Sequence, residues 1–113
     1  MVITEIGGTT AILKASLFLE AIRQVSHEVG RHNCLFLHVT LVPYLKSSGE
    51  HKSKPTQHSV KELQSFGIMP DIIIARCDEP LDQSIRQKIA LFCNVQEDCV
   101  IENLTLPVLY QRR

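Results

Sequence analysis

The sequence predicts an α/β domain built on a parallel sheet with flanking helices. Three observations carry that expectation. Residues 34–45 (CLFLHVTLVPYL) and 71–77 (DIIIARC) are continuous apolar, β-branched runs, the pattern of strands buried on both faces. Stretches with helical spacing separate them, and glycine or proline punctuates the junctions. The implied order is β-α-β-α-β-α-β with right-handed crossovers. At 113 residues the chain is one domain by length, or a piece of a larger one, and it can bury a core without disulfides or metals.

Taken in order, Met1-Val2-Ile3-Thr4-Glu5-Ile6 is a short apolar run ending at Gly7-Gly8, and it reads as the first strand. Residues 17–29 carry Phe18, Leu19, Ile22, Val25 and Val29 at helical spacing, and Gly30 is placed as a C-terminal stop. Residues 34–45 form the second strand, with Pro43 marking its end. The next helix spans residues 56–65, with Val60 and Leu63 facing inward and Gly67 terminating it. Thr56 is placed as its N-cap, and Ser59 with Glu62 offers a second, overlapping capping-box pattern. Ile68-Met69-Pro70 leads into the strand 71–77, Glu79-Pro80 turns into a helix over 82–92, and Cys99-Val100-Ile101 begins a final short strand.

Charge and composition exclude several classes. Twelve basic residues balance twelve acidic ones, which argues against a strongly basic nucleic-acid binder while leaving room for a local basic patch. No apolar run reaches the roughly 18 residues that span a bilayer, and the N-terminus has neither a basic region nor a signal-peptide core. Cytoplasmic residence is the default expectation. Cys34, Cys77, Cys93 and Cys99 are widely spaced without a C-x-x-C pair and read as buried free thiols. The five histidines form no H-x-x-x-H pair, so a zinc site has little support.

In parallel sheets ligands sit beyond the carboxyl ends of the strands. Three stretches qualify: residues 5–10, 46–57 and 78–82. The second is the most informative, because Lys52-Ser53-Lys54-Pro55-Thr56-Gln57-His58-Ser59 places two lysines and several hydroxyls at a strand-to-helix junction. There the free N–H groups and the positive end of the helix dipole favour an anion. Read without that context, the lysines are a solvated basic loop. Gln57 either reads a base edge or faces solvent. Glu5 is either a Mg²⁺ carboxylate beside glycines that admit a phosphate, or an ordinary strand-end acid before a turn. Lys88 reads as a surface helix lysine, and His38 as a satisfied core histidine. No G-x-x-x-x-G-K-[ST] occurs.

Longer stretches carry a family resemblance. Phe18-Leu19-Glu20-Ala21-Ile22-Arg23-Gln24, then His38-Val39-Thr40-Leu41-Val42-Pro43-Tyr44, then Gly49-Glu50-His51 followed by the lysine segment through Leu63, resemble CTP synthase. Pro70-Asp71-Ile72-Ile73 and Lys88-Ile89-Ala90-Leu91-Phe92-Cys93 extend the match in order. It covers nearly all of residues 1–106, taken as part of the synthetase (amidoligase) domain, with a divergent tail over 107–113.

The resemblance implies a P-loop-NTPase-like (dethiobiotin-synthetase-like) amidoligase fold, here lacking its N-terminal strands and phosphate loop. It implies conversion of UTP to CTP with ATP as co-substrate, Mg²⁺ as cofactor and ammonia drawn from glutamine by a separate domain. ATP phosphorylates the uracil O4 and ammonia displaces that phosphate. By resemblance Glu5 is the Mg²⁺ ligand of a Glu-Ile-Gly-Gly-Thr motif. Lys52, Ser53, Lys54, Pro55, Thr56 and Gln57 bind UTP or CTP, and Lys88 is a further nucleotide contact. Partners implied are UTP/CTP and a homo-oligomer (a tetramer in the family) or a full-length synthase, with no nucleic acid and no membrane.

Two departures stand out. By resemblance the family carries Gly-Asp-Ile-Glu-Ser within the stretch beyond Thr9, whereas this chain has Thr10-Ala11-Ile12-Leu13-Lys14-Ala15-Ser16, with Ile12 and Lys14 in place of two acids linked to CTP binding. The chain also starts where the family protein is well under way, which leaves two expectations: a fragment inactive alone, or a non-catalytic remnant that binds pyrimidine nucleotides or associates with other subunits.

Overall fold

The computed structural model describes residues 1–7 and 12–105. Gly8, Thr9, Thr10, Ala11 and residues 106–113, including nearly all of the motif's second half and the tail, lie outside the described residues. Helix α1 (Ile12–Val29) is followed by a 3-10 turn (Arg31–Asn33), then β1 (Leu37–Leu41), β2 (Tyr44–Leu45), β3 (Glu50–His51), α2 (Lys54–Ser65), β4 (Ile72–Cys77), α3 (Gln83–Cys93), a second 3-10 turn (Glu97–Cys99) and β5 (Val100–Leu104). β1, β4 and β5 form a three-stranded sheet in the order β1-β4-β5, parallel throughout, while β2 and β3 make a separate two-stranded antiparallel unit. The α/β class and parallel sheet expected from the apolar runs are therefore present. No helix is long and apolar enough to cross a membrane among the described residues.

Each boundary has a local cause. α1 ends at Gly30, whose φ of 85° suits glycine. α2 stops before Gly67, whose φ of 80° suits glycine; a Cβ there would lie 2.8 Å from the Arg23 side chain, which would have to move. α3 opens on Asp82, whose carboxylate accepts from the Ile85 N–H at 2.8 Å, and closes on Asn94 in the left-handed region at φ 58°. At the amino ends of the sheet strands, Asp71 accepts from the Phe36 N–H and pairs with Arg31, which pins the start of β4 to the approach to β1.

α2 and α3 cover one face of the sheet. Val60 from α2 and Ile85, Ile89, Ala90 and Cys93 from α3 pack on Val42, Ile73, Ala75, Cys77 and Val100, forming the core cluster. The opposite face differs from the expectation of strands buried on both sides: Leu37, Val39, Leu41 and Ile101 are between 45% and 55% exposed. Alternate residues of a strand point to opposite faces, and among the described residues no helix packs over the second one. On α1, Leu19 is buried, but Phe18, Val25 and Val29 of its expected apolar stripe are exposed.

Four further expectations are corrected. Residues 1–7 form no strand and are exposed throughout; an apolar run becomes a strand only against a partner ladder, and none lies beside it among the described residues. The run 34–45 is not one strand, because Pro43 separates β1 from the hairpin strand β2. α2 begins at Lys54, with Ser53 at the cap position, so Thr56 is a buried first-turn residue and not the N-cap. Ser59 lies inside α2, so the second capping box does not form either. Val60 faces inward, while Leu63 is half-buried.

Candidate functional site

The lysine segment stands at the carboxyl end of β1. Its placement begins with the hairpin: Tyr44 pairs with His51 and Leu45 with Glu50, and Gly49, at φ 66°, turns the chain and donates its N–H to the Leu45 carbonyl. The Lys52 N–H donates to the Pro43 carbonyl at 2.8 Å, returning the chain to the end of β1. The polar loop of the sequence is thus an ordered hairpin, and α2 starts directly after it.

The first turn of α2 is held from beneath by polar contacts. Thr56 is fully buried, and its Oγ1 lies 3.1 Å from Thr40 Oγ1 on β1. Ser59 donates its hydroxyl to the Thr56 carbonyl, so at the 2.8 Å contact with His38 the imidazole Nε2 carries the proton and donates to Ser59 Oγ. Burial holds the His38 imidazole below its ordinary value and favours this neutral form. His38 is thus a satisfied, partly buried residue, as its apolar setting predicts. Together Thr40 and His38 fix the helix rotation that buries Thr56 and leaves Lys54 and Pro55 exposed.

The helix start is chemically open. Ser53 is buried, yet its side chain makes no capping bond; its Oγ instead accepts from Gln57 Nε2 at 2.9 Å. Pro55 removes one N–H from the first turn, leaving the others free of a side-chain cap. Lys52 and Lys54 are exposed beside it. Lys52 has a loose 3.5 Å ion pair with Glu50, and Lys54 has no ion-pair partner among the described residues. Two cations, unpaired helix N–H groups and the positive dipole end converge, an arrangement suited to phosphate.

The stretch after β4 reaches the same place. His51 Nε2 lies 3.0 Å from the Glu79 carbonyl, so residues 46–57 and 78–82, both expected as ligand loops, meet at one end of the sheet. Cys77 at that end is fully buried, and burial, with the Glu102 and Asp78 carboxylates, pushes its thiol up, so it stays unionised and is no nucleophile. Burial likewise pushes the Cys93 thiol up to about 11. All four cysteines are free; Cys77 and Cys93 are buried as expected, while Cys34 and Cys99 are only half-buried.

A family profile described as "CTP synthase N-terminus" matches residues 1–112. The chain belongs to the CTP synthase N-terminal family. Curated relatives named CTP synthase agree: one from Caldanaerobacter subterraneus is 60% identical over 111 residues, 98% of this chain and 21% of its own length. One from Ruminiclostridium cellulolyticum is 59% identical over 111 residues, again 98% and 21%. A third, from Thermosynechococcus vestitus, is 56% identical over 111 residues, 98% of this chain and 20% of the relative. The chain thus spans about a fifth of the length of these CTP synthases.

Within the family assignment, the structure brings together Lys52, Ser53, Lys54, Pro55, Thr56 and Gln57 but not the other two expected site residues. Lys88 is an exposed residue of α3 and makes no hydrogen bond or ion pair with the lysine segment among the described residues. Glu5 lies in the exposed stretch 1–7, its carboxylate folded back so that a Cβ on Gly7 would sit 3.0 Å away. No group of three acids, histidines or cysteines that would hold a metal occurs among the described residues. Glu5 supplies one hard oxygen donor, which fits Mg²⁺ only where nucleotide phosphates complete the shell. Two shallow clefts, one lined by Arg31, Asp71 and Gln96 and the other by Arg23, His27 and Gly67, lie at the amino-terminal side of the strands. Ligand sites of parallel sheets are at the other end. Sequence reading missed His51 as a site component, since nothing in its spacing marks a contact 28 residues away.

Proposed function

We propose that this chain carries the pyrimidine-triphosphate site of a CTP synthase amidoligase, which aminates UTP to CTP with ATP and ammonia. The single observation that supports it is the uncapped start of α2 flanked by Lys52 and Lys54 at the carboxyl end of β1. In this reading the two ammonium groups and the free N–H groups of the first turn answer the triphosphate charge. Gln57, tethered through its Nε2 to Ser53, keeps its carboxamide oxygen for an N–H on the base. Lys88 is a further nucleotide contact. Glu5 is the carboxylate that would hold Mg²⁺, and the bound ion would offset phosphate charge. The fold is proposed as the P-loop-NTPase-like (dethiobiotin-synthetase-like) type, and residence as cytoplasmic.

Calorimetric titration with UTP, with CTP and GTP alongside, tests the site. UTP and CTP are expected to bind, with affinity falling as salt rises. Lys54→Ala is expected to weaken UTP about 10-fold or more, the scale of a hydrogen bond to a charged group. Absence of binding at millimolar UTP would overturn the reading.

A second reading is association with a synthase chain of the relatives' length. It is favoured by the open apolar face carrying Leu37, Val39, Leu41 and Ile101, and by the fourfold greater length of relative lying outside the match. Light scattering of this chain mixed with such a synthase would show a complex lost on Val39→Lys. Unchanged masses in the mixture would remove this reading.

A further inference from the structure

We infer that His51 is a positioning residue, which ties the lysine hairpin to the β4–α3 loop and thereby fixes Lys52 for its anionic ligand. The inference rests on the nucleotide reading of residues 52–57 and adds to it a residue that the lysine-rich motif does not explain. His51 closes β3, one residue before Lys52. A carbonyl only accepts, so at the 3.0 Å contact His51 Nε2 donates to Glu79 O. The ring is held from its other side by Tyr44, edge to face with centroids 4.9 Å apart.

The far end of this tether is itself anchored. Beyond Glu79, the Leu81 N–H donates to Glu102 Oε2 at 3.0 Å, and Glu102 lies 3.6 Å from Arg86, which also donates to the Val100 carbonyl. Asp82 then caps α3. The Glu79 carbonyl is therefore presented by a loop fixed to β5 and α3. Lys52 is held on one side by its own N–H on Pro43, at the end of β1, and on the other through His51, at the end of β4. A two-residue strand pair has little stability of its own, so without the His51 tether the hairpin pivots on Pro43 and the Lys52 ammonium spreads over a larger volume. Prepositioning of this kind raises affinity by lowering the ordering cost of binding.

The test compares His51→Leu, which removes the donor, with His51→Gln, whose carboxamide N–H restores one. Amide hydrogen exchange of the free chain is expected to rise in residues 44–52 and 78–81 of His51→Leu and to stay near the unsubstituted level in His51→Gln, with thermal midpoints alike. UTP affinity by calorimetry is expected to fall about 2- to 10-fold in His51→Leu, the scale of one solvent-competed hydrogen bond, and to recover in His51→Gln. Unchanged exchange in His51→Leu overturns the tether. Raised exchange with unchanged UTP affinity, or no recovery in His51→Gln, overturns the positioning role. If the unsubstituted chain binds no UTP, the nucleotide reading fails and the positioning role with it, while the exchange comparison still decides whether the tether exists.

Discussion

The two faces of the β1-β4-β5 sheet are made from the same kinds of residue and meet different fates. Ile73, Ala75 and Val100 point to one face and are at most 1% exposed, beneath α2 and α3. Val39 and Ile101 point to the other and are 55% and 45% exposed. Hydrophobicity alone does not separate them; the helices over one face do. The packed face also contains the polar groups that aim the site, because Thr40 and His38 meet Thr56 and Ser59 there. Stability and the geometry of the lysine segment thus share one layer, while the other face is left open among the described residues.

The largest expected effect breaks this symmetry directly. Ile73→Ala removes a fully buried side chain and is expected to cost about 2–5 kcal/mol in denaturant unfolding, whereas Val39→Ala on the open face stays within about 0.5 kcal/mol. Equal losses would mean that the open face is covered in solution. Next, Thr56→Val keeps the shape but leaves the Thr40 hydroxyl without its partner, with an expected loss of about 1–3 kcal/mol and weaker UTP binding in the same titration. A Thr56→Val chain that is as stable as the parent would show that the contact between β1 and α2 is not held by these hydroxyls.

The smallest effect is a pH dependence. Burial holds the His38 imidazole below its ordinary 6.5, so the unfolded chain takes up a proton more readily than the folded one. The stability contributed by neutral His38 is therefore whole above about pH 6.5 and is lost as pH falls below that value. Unfolding midpoints at pH 7.5 and 5.5 should differ less in His38→Asn than in the parent. Identical differences would show that His38 titrates alike in both states.

The same contrast explains what was legible in the sequence. β4 and α3 were readable because their signals are local: the run Asp71-Ile72-Ile73-Ile74 after Pro70, and the Glu79-Pro80 turn that opens the helix expected over 82–92 and found over Gln83–Cys93. Gly30 and Gly67 marked helix ends for an equally local reason, their positive φ. The lysine segment was legible from residue types at a strand-to-helix junction. What failed depends on distant partners. Residues 1–6 look like a strand, but pairing requires a neighbouring strand that periodicity does not report. The hairpin strands have two residues each, too few for any alternation to show. One-sided burial of β1 is decided by which helices land on the sheet, and the shift of the N-cap from Thr56 to Ser53 follows from Thr40 drawing Thr56 inward.

Titration of UTP into isotopically labelled chain, followed by amide chemical shifts, tests the central claim most directly. The account predicts concentration-dependent shifts at Lys52, Ser53, Lys54, Thr56 and Gln57, with Leu37, Val39 and Ile101 on the open face unmoved. Shifts centred on that open face, or none in residues 52–57 at millimolar UTP, would contradict it.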